Sequence, residues 1–347
     1  MKINAIKKTL LGILSVYLMF NFSSCSSDDN TTEETTVTDE SEGEEIELVD
    51  GTTIDETTLG FAKGNVEVTF VEIDGVEYYQ IDTSNQTSLP VNHEMGPWCP
   101  YDIEDDTAEE GGIWLDDGVL YNITYDFLDT TVNELYTEEE GFDGDLWDEI
   151  IDGDNVNYTE TQEECILAAN PNVDPDLWSH CVECLPSFFE DEFIENVYYL
   201  PVNPVKLDTP QNISGTHGIS FNGVIYEAEA PVADIISAYT IAAFDNAGGH
   251  INPYEGYHYH TSTSMTLSEE QEDGHADKIG YALDGFELYD YDDSILNDLD
   301  DCQGHEDDAR GYHYHVSAPG TLMFLPCFYG QELSSGTEGG QGGPPMP

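Results

Sequence analysis

An internal duplication limits the folds open to this 347-residue chain more than any other pattern in it. Gly249-His250, five residues, then Gly256-Tyr257-His258-Tyr259-His260 returns position for position as Gly304-His305, five residues, then Gly311-Tyr312-His313-Tyr314-His315. A string repeated in this way marks a repeated supersecondary unit. Upstream, Gly218-Ile-Ser-Phe-Asn222-Gly223-Val224 is echoed by Gly280-Tyr-Ala-Leu-Asp284-Gly285-Phe286, at a different spacing to the histidines. Two copies of one unit are therefore expected, about 216–260 and 278–315, related by a pseudo-twofold.

Strict Tyr–His alternation reads as strand. On an extended segment His258 and His260 share one face while Tyr257 and Tyr259 take the other. Two imidazoles about 6–7 Å apart along a strand can chelate one ion. His250, across a loop with room to turn back, is the natural third ligand, and His305 stands in the same relation to His313 and His315. One pattern thus accounts for six of the ten histidines. A pseudo-twofold favours one shared or dinuclear site over two separate three-histidine sites. Neutral imidazole suits zinc, copper, nickel and ferrous iron. With no Cys or Met in the motif a cuprous ion is the less favoured form, and the choice between copper and zinc stays open. The competing reading makes Tyr and His ordinary strand residues that pack and hydrogen-bond; a third histidine at identical spacing in both copies weighs against it. Asn222-Gly223 and Asp284-Gly285 are hairpin-turn dipeptides first, with Asp284 also a candidate ligand or ligand partner. His93, His180, His217 and His275 have no place in the repeat.

The ends of the chain bear on its setting. Lys2, Lys7 and Lys8 precede a short apolar run, Thr9 to Phe20, and Phe22-Ser23-Ser24-Cys25 follows. These are the parts of a secretory signal, and the segment resembles a bacterial lipoprotein signal, with residues 1–24 removed and Cys25 lipidated. Ser26-Ser27-Asp28-Asp29 resembles the acidic tags that send lipoproteins to the outer face of the outer membrane. The expected location is therefore the outer membrane, lipid-anchored and facing the exterior, with membrane contact through the Cys25 lipid only. Residues 25–58, poor in apolar side chains, are expected to be an acidic disordered tether, and 331–347 a disordered Gly/Pro tail.

A formal charge of −66, from 73 acidic and 7 basic residues, leaves only Lys63, Lys206, Lys278 and Arg310 as fixed positive charges after the signal. Such a surface repels polyanions, which excludes nucleic acid as a partner, and it concentrates cations. The carboxylate-dense stretch from Asp143 to Asp154 lacks the spacing and closing glutamate of a calcium loop, so calcium on acidic loops is the lesser expectation there. Once Cys25 is lipidated six cysteines remain, an even number for an oxidising compartment. Cys302 and Cys327 are a candidate disulfide; Cys99, Cys165, Cys181 and Cys184 would supply two more, with a zinc or thiol role for Cys181-Val-Glu-Cys184 the minor alternative.

Elsewhere the periodicity is mostly that of strands. Val66 to Phe70 alternate, Asp74-Gly75 turns, and Val76 to Tyr79 return; Ile113 to Leu115, Asp116-Asp117-Gly118 and Val119 to Ile123 repeat the arrangement. Short helices are expected at about 161–169 and 232–241. The predicted fold is mainly β with a few short helices, an antiparallel sandwich-like or barrel-like core carrying the duplicated C-terminal unit. A β-rich region would span 59–205 and the duplicated domain 206–330.

The two GYHYH strings, Gly280 to Phe286, Asp301-Cys302-Gln-Gly304-His305 and Cys327 resemble the YHYH-domain family of secreted bacterial proteins, from about Pro201 to Gly330, with Gly112-Ile113-Trp114-Leu115 extending the likeness upstream. The resemblance implies the domain and names no reaction. Three functions are then open. The leading one is a cell-surface lipoprotein that binds copper or zinc for capture or storage. The second is a metal-dependent enzyme, hydrolytic or oxidative, with an open ligand position on a three-histidine ion; no HExxH, GxSxG or nucleophile constellation names a substrate. The third is an adhesion or glycan-contacting module in which the histidines are structural.

Overall fold

Alternating side chains and turn dipeptides set out the elements in the computed structural model, which describes residues 49–83, 92–136, 151–152, 155–156, 167, 180–182, 196–213, 215–252 and 256–333. Two hairpins form where the sequence places them. Strands β2 (Glu67–Ile73) and β3 (Val76–Asp82) pair antiparallel around Asp74-Gly75, and β4 (Ile113–Asp116) and β5 (Val119–Asn122) around Asp117-Gly118. In both turns the two central residues have positive φ, the geometry whose twist matches that of paired strands. Strands β1 (Thr52–Ile54) and β9 (Val197–Pro201) complete a four-stranded antiparallel sheet in the order β1-β2-β3-β9. The expected tether therefore ends earlier than residue 58, because Thr52–Ile54 finds a partner strand in β2.

The duplicated region builds one open eight-stranded sheet. It contains β10 (Gly218–Ser220), β11 (Ile225–Tyr226), β13 (Gly249–Asn252), β14 (Gly256–Tyr259), β15 (Lys278–Ala282), β16 (Glu287–Tyr289), β17 (Gly304–Asp307) and β18 (Gly311–His315), in the order β13-β14-β11-β10-β15-β16-β18-β17. Read outward from its centre, each half repeats the other. At the centre β10 and β15 run antiparallel with Ile219 opposite Tyr281, residues that are equivalent in the two copies, so the pseudo-twofold passes through that pair. The sheet is mixed: β11 pairs with β14, and β16 with β18, in parallel. A parallel return needs a crossover, which the loops 227–248 and 290–303 supply. In the first copy that crossover holds the short helix Val232–Ser237, within the expected helical stretch, and then β12 (Thr240–Ala242), which pairs with β8 (His180–Val182). The remaining strands, β6 (Ile151–Asp152) and β7 (Asn155–Val156), form a two-residue ladder.

Buried clusters hold these parts together, three of them larger than the fourth. Val68, Ile81 and Leu200 of the four-stranded sheet pack with Phe61 and Val66 on Ile219 at the dyad, which gives a sandwich-like contact between the sheets. Trp98, Trp114, Phe127, Leu128, Ile241 and Ile251 form a second core, pinned by the Cys99–Cys181 disulfide. Tyr226, Tyr259, Tyr314, Phe286, Phe324 and Phe328 form the third, under a C-terminal segment fastened by Cys302–Cys327. Each large apolar side chain buried in this way contributes about 1.5–3 kcal/mol. Cys181 is thus committed to a disulfide and not to zinc or thiol chemistry; Cys165 and Cys184 lie outside the described residues, as do the signal, Cys25, most of the expected helix at 161–169 and nearly all of the Asp143–Asp154 stretch. Among the described residues no helix is long and apolar enough to cross a membrane.

Candidate metal centres

The hairpin register brings the motif histidines together. In β13–β14 His250 stands directly opposite His258, and in β17–β18 His305 stands opposite His313; alternation adds His260 and His315 to the same faces. Two groups result, His250/His258/His260 and His275/His305/His313/His315, each with one ligand atom per residue and all such atoms within 4.8 Å of one another. The glycines of the motif have local reasons. A Cβ at Gly249 or Gly304 would run into the ring of Tyr257 or Tyr312 on the partner strand, while Gly256 and Gly311 open the return strands with positive φ.

The hydrogen bonds determine which ring nitrogen carries the proton. His258 Nδ1 donates to the Gly256 carbonyl at 2.9 Å and His260 Nδ1 to that of Ala228 at 2.9 Å. A carbonyl oxygen only accepts, so in each neutral ring Nε2 is left with a bare lone pair. These two Nε2 atoms face each other at 3.0 Å. The second group repeats this. His313, His315 and His275 donate from Nδ1 to the carbonyls of Gly311, Asp290 and Ala276 at 3.0, 2.9 and 3.0 Å, and His275 Nε2 meets His313 Nε2 at 3.1 Å while His305 Nε2 meets His315 Nε2 at 3.2 Å. Burial keeps an extra proton off His313 and His315, holding them at about 4 and about 3. Burial and then neighbouring imidazoles set His250 well below its ordinary range; His260 is lowered likewise, by burial first and then by His258. Lone pairs pointed at one another repel unless a cation lies between them. A tetrahedral ion with nitrogens at about 2.0–2.1 Å separates its ligand atoms by about 3.3 Å, close to these spacings. The backbone acceptors on Nδ1 are the partners that commonly fix the tautomer of a metal-bound histidine.

The opposite face is held by carboxylates and an amide in matched positions. Tyr257 donates to Asp245 at 2.7 Å and Tyr312 to Asp300 at 2.8 Å. Tyr259 accepts from Asn222 Nδ2 at 2.9 Å, and Tyr314 donates to Asp284 at 2.7 Å. Asp284 therefore positions Tyr314 and does not touch a histidine. Alternation turns Tyr314 away from the imidazoles, and Asp284 goes with it; burial lifts its carboxyl to about 6.

Two expectations change. The groups sit near opposite edges of the sheet, with β14 and β18 five strand steps or about 24 Å apart, so each copy gathers its own histidines and the two groups do not converge on one shared or dinuclear site. The reason is topological: the dyad passes through β10 and β15, which places the histidine hairpins outermost. The second centre also gains His275, from the segment joining the copies. No repeat search could find it, because the first copy has no counterpart. Of the other histidines, His217 is buried and accepts the Leu325 N–H at 3.3 Å, His93 lies 3.0 Å from the Tyr257 hydroxyl, and His180 is in β8.

Residues 197–298 match the family model described as YHYH protein. The chain carries a YHYH-family domain. The match spans β9 to β16 and ends before the second GYHYH string, whose hairpin the structure nevertheless pairs as the equivalent of the first. Neither the curated proteins nor the solved structures contain a match to this chain.

Proposed function

We propose that this chain binds transition-metal ions, one centre to each copy of the repeat, and serves to capture or store copper or zinc. The observation that carries the reading is two pairs of opposed Nε2 lone pairs, His258 with His260 at 3.0 Å and His275 with His313 at 3.1 Å, with Nδ1 of all four rings committed to a carbonyl. Hydrogen bonding alone cannot satisfy that arrangement at neutral pH. Packing cannot explain it either, since apolar contact needs no convergence of nitrogens. His250 Nε2, buried without a hydrogen-bond partner, adds to it, because an unsatisfied buried polar atom costs about 1–3 kcal/mol. A metalloenzyme needs an open ligand position in a cleft. The buried first centre and the four-ligand second centre favour holding an ion over turning substrate over, and no observation supports a glycan surface.

The N-terminal pattern belongs to the same reading. Cys25 would carry lipid, and the acidic chain beyond it would raise the local concentration of cations at the outer surface. Palmitate labelling of cells making the full chain should be lost in Cys25→Ser; labelling that persists removes the anchor from the account. Competition against chromophoric chelators, run separately for zinc and for cuprous ion, tests the centres themselves. His258→Ala with His260→Ala should remove one tight site, and His313→Ala with His315→Ala the other. A chain that competes no better than either doubly substituted variant does not bind metal through these histidines.

A further inference from the structure

The two centres differ in donor number, burial and surrounding charge. The first has three neutral nitrogens and, among the described residues, no fourth His, Cys, Asp or Glu within reach. His250 is half-buried with its Nε2 out of solvent, His258 is wholly buried and His260 is 7% exposed, and the fully buried Phe244 packs its ring 5.0 Å from that of His250 and 5.7 Å from that of His260. The second has four nitrogens, two of them from the half-buried His275 and His305.

Charge differs in the same sense. Asp307 lies two residues beyond His305 on β17 and so shares its face, and Asp298 also acts on His305, while Asp292 feels His315 and His275. At the equivalent positions the first copy has Asn252, Ala243 and Ala230. Arg310, paired with Asp273 and Asp307, returns one positive charge to the second centre. Beside the first, the residue equivalent to Tyr289 is the buried Glu227, next to the Ala228 carbonyl that accepts from His260.

We propose that, contrary to the expectation from the motif's lack of Cys and Met, the three-histidine centre holds a cuprous ion and the four-histidine centre a divalent ion, zinc or cupric. The inference rests on the metal-binding reading above. The cost of burying an ion grows with the square of its charge, so a pocket with three neutral donors and one nearby carboxylate suits a monovalent ion. A filled-shell monovalent ion is content with three nitrogens in a plane. Zinc prefers four ligands and cupric ion a tetragonal set, neither of which the three donors of the first centre offer. The second centre supplies four nitrogens and a net surplus of carboxylates.

The full chain is incubated without oxygen with zinc sulfate and an acetonitrile-stabilised cuprous salt, desalted, and read by elemental analysis and by the copper X-ray absorption edge. The expected result is one copper and one zinc for each chain, with an edge typical of three-coordinate cuprous nitrogen. His258→Ala should lose the copper and keep the zinc, and His275→Ala the reverse. The edge is read on the unaltered protein, so the test survives a variant that fails to fold. Two zincs that cuprous ion does not displace, or copper lost in His275→Ala and kept in His258→Ala, overturn the assignment while leaving metal binding intact. A chain that retains neither metal overturns both.

Discussion

At the scale of the residue, tautomers decide the chemistry. A carbonyl oxygen at hydrogen-bond distance from Nδ1 leaves Nε2 nothing to offer but a lone pair, and five of the seven histidines in the two centres are held in that way. The tyrosines between them do different work. Tyr314→Phe would leave the buried Asp284 carboxyl with one donor fewer, at a cost of about 1–3 kcal/mol, to be read from the denaturant midpoint with metal stoichiometry unchanged; a loss of metal together with an unchanged midpoint would contradict that division of roles. Acid should act mainly through the histidines. His93, His217 and His313 are lowered to about 4 and His315 to about 3, chiefly by burial. The unfolded chain therefore binds more protons than the folded one below the ordinary histidine value of 6.5, and stability present above that value is lost as pH falls towards 4. Asp245 and Asp284, raised to about 6 by burial, act in the opposite sense over the same window but are two groups against four. Without metal, the urea midpoint should therefore rise between about pH 4 and 6.5; a midpoint that falls across that window would contradict the burial of these rings.

At the scale of the element, much was legible in the sequence. Alternation placed His258 with His260 and His313 with His315, because side-chain direction on a strand follows from spacing alone. The turn dipeptides located two hairpins for a similar reason: Asp74-Gly75 and Asp117-Gly118 both tolerate positive φ. The Asp284-Gly285 dipeptide marks a turn, but its position does not say which face the carboxylate serves, and the Tyr314 hydroxyl that donates to it lies on the face away from the imidazoles. His275 was missed because it comes from the connecting segment, and Asp273, which accepts the His275 backbone N–H at 3.2 Å and pairs with Arg310, helps to hold that segment against β17–β18. The glycine before each first histidine is open to direct test. Gly304→Ala would press a methyl group into the Tyr312 ring, with an expected loss of about 1–3 kcal/mol from overpacking and weaker metal binding at the second centre only. Equal weakening of both centres would mean that the hairpins are not independent.

At the scale of the whole molecule, the eight-stranded sheet is two copies of one unit joined edge to edge at Ile219 and Tyr281. Duplication could be read from the residues, but whether the histidines would face across the twofold or lie far from it depends on the strand order, which no local pattern encodes. The parallel β11–β14 and β16–β18 pairings carry each histidine hairpin outward and separate the centres. The four-stranded sheet, which the sequence placed in a region of its own, shares a core with the dyad through Ile219. The central claim is that each copy holds one ion. Elemental analysis of the untagged full chain after metal loading and desalting tests it most directly: two ions for each chain are expected, falling to one when either histidine hairpin is changed to alanine, whereas a chain that retains no metal would show that these seven histidines are not a pair of metal centres.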